Sequence, residues 1–199
     1  MNVVLYGDSN TYGYDPICGR FENRYSNLLK DYFTNKLNIY EEGLIGRTTI
    51  YDDYRPKRKS IDYIYETLFK YETIDLLVLM LGTNDLKKSN AKNIKDAKLG
   101  MEKLLNKILR VKNVKNILII SPILLAKNIK LLDDDFDDNS YVLSKCLSNV
   151  YEELAINNNL VFFDAKKVAK AGKDGQHLNI EGHQALALNL EKIIEKILL

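Results

Sequence analysis

The chain has 199 residues, 46% of them hydrophobic, which is enough apolar material for a packed core and too much for a disordered chain. A formal net charge of +2 gives no general electrostatic case for nucleic acid or an anionic membrane as partner. No apolar run approaches the roughly 20 residues that a membrane span needs.

In chain order, Val3–Tyr6 reads as a short strand, and Asn23–Lys36 has helical spacing with Tyr25, Leu28, Leu29, Tyr32 and Phe33 on one stripe. Leu37–Glu41 is a weaker strand and Ile61–Tyr71 a helix. Ile74–Leu81 is a strand buried on both faces, and Ala91–Arg110 a long amphipathic helix. Val114–Ile120 is a further buried strand and Tyr141–Asn157 a helix. Val161–Phe163 is a short strand, and Ile180–Leu198 closes the chain as a helix. The β-α alternation predicts a three-layer α/β/α sandwich around a five-stranded parallel sheet, in the flavodoxin-like order 2-1-3-4-5. No repeat, linker or composition shift divides the chain, so one domain spanning 1–199 is expected. Met1-Asn2 runs straight into Val3-Val4-Leu5 with no basic leader, and Cys18 and Cys146 lack metal spacing. A cytoplasmic protein with free thiols is the expectation.

In such a fold, ligands bind beyond the carboxyl ends of the strands. Three polar, glycine-containing segments follow the first three strands: Gly7-Asp8-Ser9-Asn10, Gly43-Leu44-Ile45-Gly46-Arg47-Thr48 and Gly82-Thr83-Asn84-Asp85. A fourth, Asp174-Gly175-Gln176-His177, precedes the last helix and is long enough to return to Ser9. A serine hydroxyl needs a base to take its proton during attack, and histidine is suited to that task near neutral pH. His177, three residues after Asp174, offers the serine–histidine–aspartate arrangement. The tetrahedral intermediate needs preorganised donors, for which the N–H of Ser9, the N–H of Gly46 and the Asn84 amide are the candidates.

These four blocks resemble the SGNH hydrolases, also called GDSL esterases or lipases. Asn10 stands where the family name has leucine. The Glu42-Gly43-Leu44 and Arg47-Thr48-Thr49 stretch, with Met80-Leu81-Gly82-Thr83-Asn84-Asp85, is similar to the arylesterase/acyltransferase branch. The resemblance implies Ser9 as nucleophile, Asp174 and His177 as its partners, and Ser9, Gly46 and Asn84 around the oxyanion. It implies hydrolysis of short acyl or aryl esters, acyl transfer to an acceptor, and subunits that associate to help wall the pocket. No metal or organic cofactor is required. The partner is a small-molecule ester; carbohydrate O-deacetylation and ligand binding without turnover are the alternatives.

Loops 12–21 and 123–139 follow strand ends and are expected to shape the pocket, with Tyr12, Tyr14, Ile123 and Leu124 as apolar contacts. Asp8, Arg47 and Asp85 are expected to be structural, and His183 a helix-face residue. The basic run Arg55–Lys59 and the acidic run Asp133–Asp138 are expected to be solvated loops, the latter lacking the EF-hand pattern.

Overall fold

The computed structural model describes residues 1–199. The chain opens with β1 (Asn2–Gly7), a short helix α1 (Ser9–Tyr12) and a small hairpin of β2 (Tyr14–Asp15) and β3 (Gly19–Arg20). Helix α2 (Tyr25–Tyr32), strand β4 (Asn38–Gly43), helix α3 (Ser60–Leu68), strand β5 (Leu76–Met80) and helix α4 (Ile94–Ile108) follow. Strand β6 (Ile117–Ser121), helix α5 (Asp138–Asn157), strand β7 (Val161–Asp164) and helix α6 (Ile180–Leu198) complete it.

The main sheet has the order β4-β1-β5-β6-β7, all parallel. Counting only its own strands, that is the expected 2-1-3-4-5. Side chains alternate between faces along a strand, and both faces are covered here. Val4, Tyr6, Leu77, Leu79, Ile117 and Ile119 join α3, α4 and α5 in one apolar cluster. Val3, Leu5, Leu76, Val78, Met80, Leu118 and Ile120 join α2 and α6 in the other. The inner strands β1, β5 and β6 therefore read as apolar runs with no polar phase, whereas the edge strand β4 carries Tyr40, Glu41 and Glu42.

Capping chemistry accounts for the largest shifts from the expected helix starts. Asn93 accepts from the N–H groups of Lys95 and Asp96, so α4 begins at Ile94 and not at Ala91. Asp137 and Ser140 form a capping box, which starts α5 inside the acidic run, three residues before Tyr141. Asn179 caps α6 through the Gly182 N–H, as the expected boundary requires. No helix is long and apolar enough to cross a membrane.

His183, on α6, is only 1% exposed. Its Nδ1 accepts the Tyr25 N–H at 3.3 Å, and its ring packs against Phe21 and Tyr25. Burial, with Arg24 and His177 adding repulsion, lowers its pKa to about 4. The folded chain thus holds His183 neutral, whereas an unfolded histidine takes its proton near pH 6.5. The stability this provides is complete above pH 6.5 and is lost as pH falls toward 4. Urea unfolding of the wild type should therefore weaken between pH 7 and pH 4 by up to about 3 kcal/mol more than that of His183→Gln. Equal pH slopes for the two proteins would exclude this assignment.

Candidate active site

The register places Gly7 beside both Gly43 and Met80, Met80 beside Ile120, and Ser121 beside Asp164. The segments leaving these ends share one rim. After β1 the backbone turns at once into α1: Asp8 caps this helix by accepting the Asn10 N–H, and Ser9 is its first residue. A first-turn N–H has no acceptor inside its helix. Gly7 is needed for close approach, since a Cβ there would overlap the Thr11 hydroxyl and lie 2.7 Å from the Met80 carbonyl oxygen.

Ser9 Oγ lies 2.8 Å from His177 Nε2, and His177 Nδ1 lies 2.7 Å from Asp174 Oδ2. The other Asp174 oxygen accepts the N–H groups of Gln176 and His177, at 3.1 and 3.0 Å. Burial disfavours a charged Asp174, but its bonds from the side chain and backbone of His177 outweigh that and hold its pKa below the usual value. A carboxylate so held fixes the imidazole, whose far nitrogen is then placed to take the Ser9 proton.

Gly46 and Asn84 line the same cleft as Ser9 and His177. The N–H of Gly46 has no acceptor in the protein. Asn84 gives one amide hydrogen to the Arg47 carbonyl at 3.1 Å and retains the second. The arrangement supplies a hydroxyl, a base with its orienting carboxylate, and donors not already used by the fold.

A buried framework sits behind these groups. Arg47 donates to the carbonyls of Gly7, at 2.8 Å, and Glu42, while its guanidinium stacks 3.9 Å from the Tyr6 ring centroid. Asp85 accepts the N–H and hydroxyl of Thr49, and burial pushes its pKa up to about 6. Asp8, also buried, is shifted upward for the same reason. Arg47 and Asp85 thereby tie the second and third loops together and to the end of β1.

Four expectations need correction. Ile123 is 4% exposed and packs in the core with Leu118 and Ile120, because the chain turns back over the sheet directly after β6. Leu124 lines a separate depression with Tyr141 and Lys166, away from Ser9. Tyr12 lies under the Arg20 guanidinium, 4.0 Å from its ring centroid, and is not among the residues of the cleft. The acidic run is not simply a solvated loop: Asp137 caps α5, Asp135 pairs with Lys87 at 2.7 Å, and Asp133 accepts from Gln176 Nε2 at 2.6 Å. Tyr14 does line the cleft, with its ring centroid 4.7 Å from that of His177. His183 takes no part in it.

Sequence reasoning passed over the cleft's other walls. Arg55, Tyr54, Lys87, Asp133 and Gln176 all line it, around a volume of about 450 Å³. Asn10 also belongs to the site. Its Nδ2 donates to the Gln176 carbonyl at 3.1 Å, and its Oδ1 accepts the Leu178 N–H at 2.8 Å. The residue next to the serine thus grips both sides of the histidine.

The sequence matches the profile of the GDSL-like lipase/acylhydrolase family over residues 5–185. The chain belongs to that family. Among solved structures, a carbohydrate acetylesterase family member from Sinorhizobium meliloti is 31% identical, with 99% of this chain and 98% of that one covered and a TM-score of 0.90. The native aryl esterase of M. smegmatis is 29% identical, with 99% of both chains covered and a TM-score of 0.89. No curated protein sequence matches significantly. The GDSL-family chain is therefore an ester-hydrolysing serine hydrolase of α/β fold.

Asn10→Leu restores the residue of the family name but leaves the buried Leu178 N–H without an acceptor. It should cost about 1–3 kcal/mol in urea unfolding. Its ester turnover should fall by about tenfold or more, since displacement of a catalytic group by about 1 Å can cost roughly a hundredfold. Wild-type stability and turnover in this variant would show that the bridge is dispensable.

Proposed function

We propose that Ser9 is the nucleophile of a short-chain carboxylesterase. His177 takes the Ser9 proton as Oγ attacks the ester carbonyl. Charge forms on the carbonyl oxygen and is stabilised by the amides of Ser9 and Gly46 and by the free hydrogen of the Asn84 side chain. His177 then passes its proton to the departing alcohol. Water, or an acceptor alcohol, releases the acyl group from Ser9 with His177 again as base. The continuous Asp174–His177–Ser9 hydrogen-bond chain is the observation that carries this reading.

The cleft favours a small acyl group. The charged or amide-bearing side chains on its walls (Asn84, Arg55, Lys87, Asp133, Gln176) give a long alkyl chain little apolar surface to cover. The same polarity supports a second reading, removal of an acetyl group from a hydroxylated alcohol such as a sugar. The likeness to a carbohydrate acetylesterase family member, at 31% identity, points the same way.

A fluorophosphonate probe should label Ser9 in the wild type and fail to label Ser9→Ala, with ester turnover lost in that variant. Asn84→Ala should reduce kcat by about 10²–10³-fold, the usual cost of one oxyanion donor. A p-nitrophenyl ester series, with an acetylated sugar beside it, should favour acetyl over longer chains. Unchanged turnover in Ser9→Ala, or preference for long acyl groups, would overturn the proposal.

A further inference from the structure

Gly46 is doubly constrained on the rim. Its φ is +77°, a conformation that favours glycine, and its N–H is unpaired. The peptide plane that carries this N–H is the central one of a turn closed by the Arg47 N–H on the Leu44 carbonyl at 3.0 Å, and such a plane can flip within its turn unless its flanks are held. The direction of that plane decides whether the N–H faces the cleft.

The fixing group comes from the basic run. A Cβ on Gly46 would overlap Nη2 and Cζ of Arg55 and lie 3.0 Å from its Nη1. The guanidinium therefore occupies the space where every other amino acid carries its side chain. Arg55 is itself held. Its Nε and Nη2 donate to the two oxygens of Asp53 at 2.7 and 2.8 Å, and its backbone N–H donates to Asp53 Oδ1 at 2.9 Å. The Asp53 side chain is only 6% exposed, and the Arg55 hydrogen bond holds its pKa below the usual carboxylate value. Such a two-pronged pair gives a flat plate with a fixed orientation, which a lysine ammonium cannot reproduce. The next arginine reinforces the same loop, since Arg58 Nε donates to the Ile45 carbonyl, in the residue before Gly46, at 2.9 Å.

We infer that the Asp53–Arg55 pair is a clamp that holds Gly46 with its N–H directed at the forming oxyanion. Arg55 is thus a positioning residue for the esterase reaction. The inference rests on the proposed role of Gly46 as an oxyanion donor. A clamp of this kind acts on the transition state and leaves substrate binding alone.

The test uses Arg55→Ala and Arg55→Lys, with Asp53→Asn as a second route should loss of the arginine prevent folding. Each variant is assayed on an acetate ester and titrated with a trifluoromethyl ketone, which becomes a tetrahedral adduct on the serine. The clamp requires kcat to fall by about tenfold to a hundredfold, ketone affinity to fall in parallel, and KM to stay within about twofold. Arg55→Lys should resemble Arg55→Ala. Gly46→Ala should cost less turnover in the Arg55→Ala background than in the wild type, because the group it collides with is gone. A rise in KM at unchanged kcat would make Arg55 a substrate contact and overturn the clamp. So would full activity in Arg55→Ala, full rescue by lysine, or additive losses with Gly46→Ala. Fluorophosphonate labelling of the wild type separates the two levels: an unlabelled wild type overturns the Ser9 reading and the clamp with it, whereas a labelled wild type with fully active Arg55→Ala overturns the clamp alone.

Discussion

The site depends on a hydrogen bond between residues 168 positions apart, Ser9 Oγ and His177 Nε2. Neither residue lies in a strand of the sheet, yet the parallel sheet makes their meeting possible. Each strand runs the same way, so each loop leaves at the same edge. The first strand fixes the serine and the segment beyond the last strand returns the histidine. What remains is a local docking problem, which Asn10 solves by accepting from and donating to the two backbone groups that flank His177. A side chain that bonds backbone can position a neighbour without competing for its functional atoms.

That division of labour recurs around the cleft. The groups proposed to do chemistry keep free donors, while their immediate neighbours put most of their hydrogen bonds into the framework. Gly46 retains its N–H, and Arg47 beside it is spent on the carbonyls of Gly7 and Glu42 and on the ring of Tyr6. Asn84 retains a hydrogen, and Asp85 beside it is spent on Thr49. An unsatisfied donor in a buried setting is costly. That cost is shared by the framework, since Arg47 Nε, Asp8 Oδ2 and Thr83 Oγ1 are also buried without a hydrogen-bond partner.

How much of this was legible in the sequence follows from the range of the forces involved. The strands, both helical layers and the four rim segments could be read because burial on two faces writes apolar runs into the inner strands, and glycine with small polar residues marks the strand ends; the strand order followed from the usual arrangement of a five-stranded doubly wound sheet. Ile123 and Leu124 were misplaced as pocket walls because an apolar residue after a strand looks the same whether it folds back to the core or faces a cleft. Only the path of the chain decides that, and Ile123 folds back. The acidic run from Asp133 read as one solvated stretch because charge carries no address. In the fold its members divide among a helix cap, a bond to Gln176 and an ion pair with Lys87. The role of Asn10 was not legible because its partners lie 166 and 168 residues away, beyond any local pattern.

The charges of the cleft come largely in pairs, and this constrains what it can select. Arg55 is matched by Asp53 and Lys87 by Asp135. A cleft of matched charges exerts little net pull on an ion but offers many hydrogen-bonding directions. Anionic acyl groups would gain little there, because each cation already faces a carboxylate. Hydroxyl groups would fare better, since they can donate to the Asp133 carboxylate and accept from the Lys87 ammonium without separating any pair. The recognition of substrate beyond its carbonyl would then reside in geometry, through which hydroxyls reach which of these fixed partners, more than in charge. That would leave the acyl group chosen by the size of the space in front of Gly46 and Asn84, and the alcohol chosen by the hydrogen-bonding pattern of the outer wall.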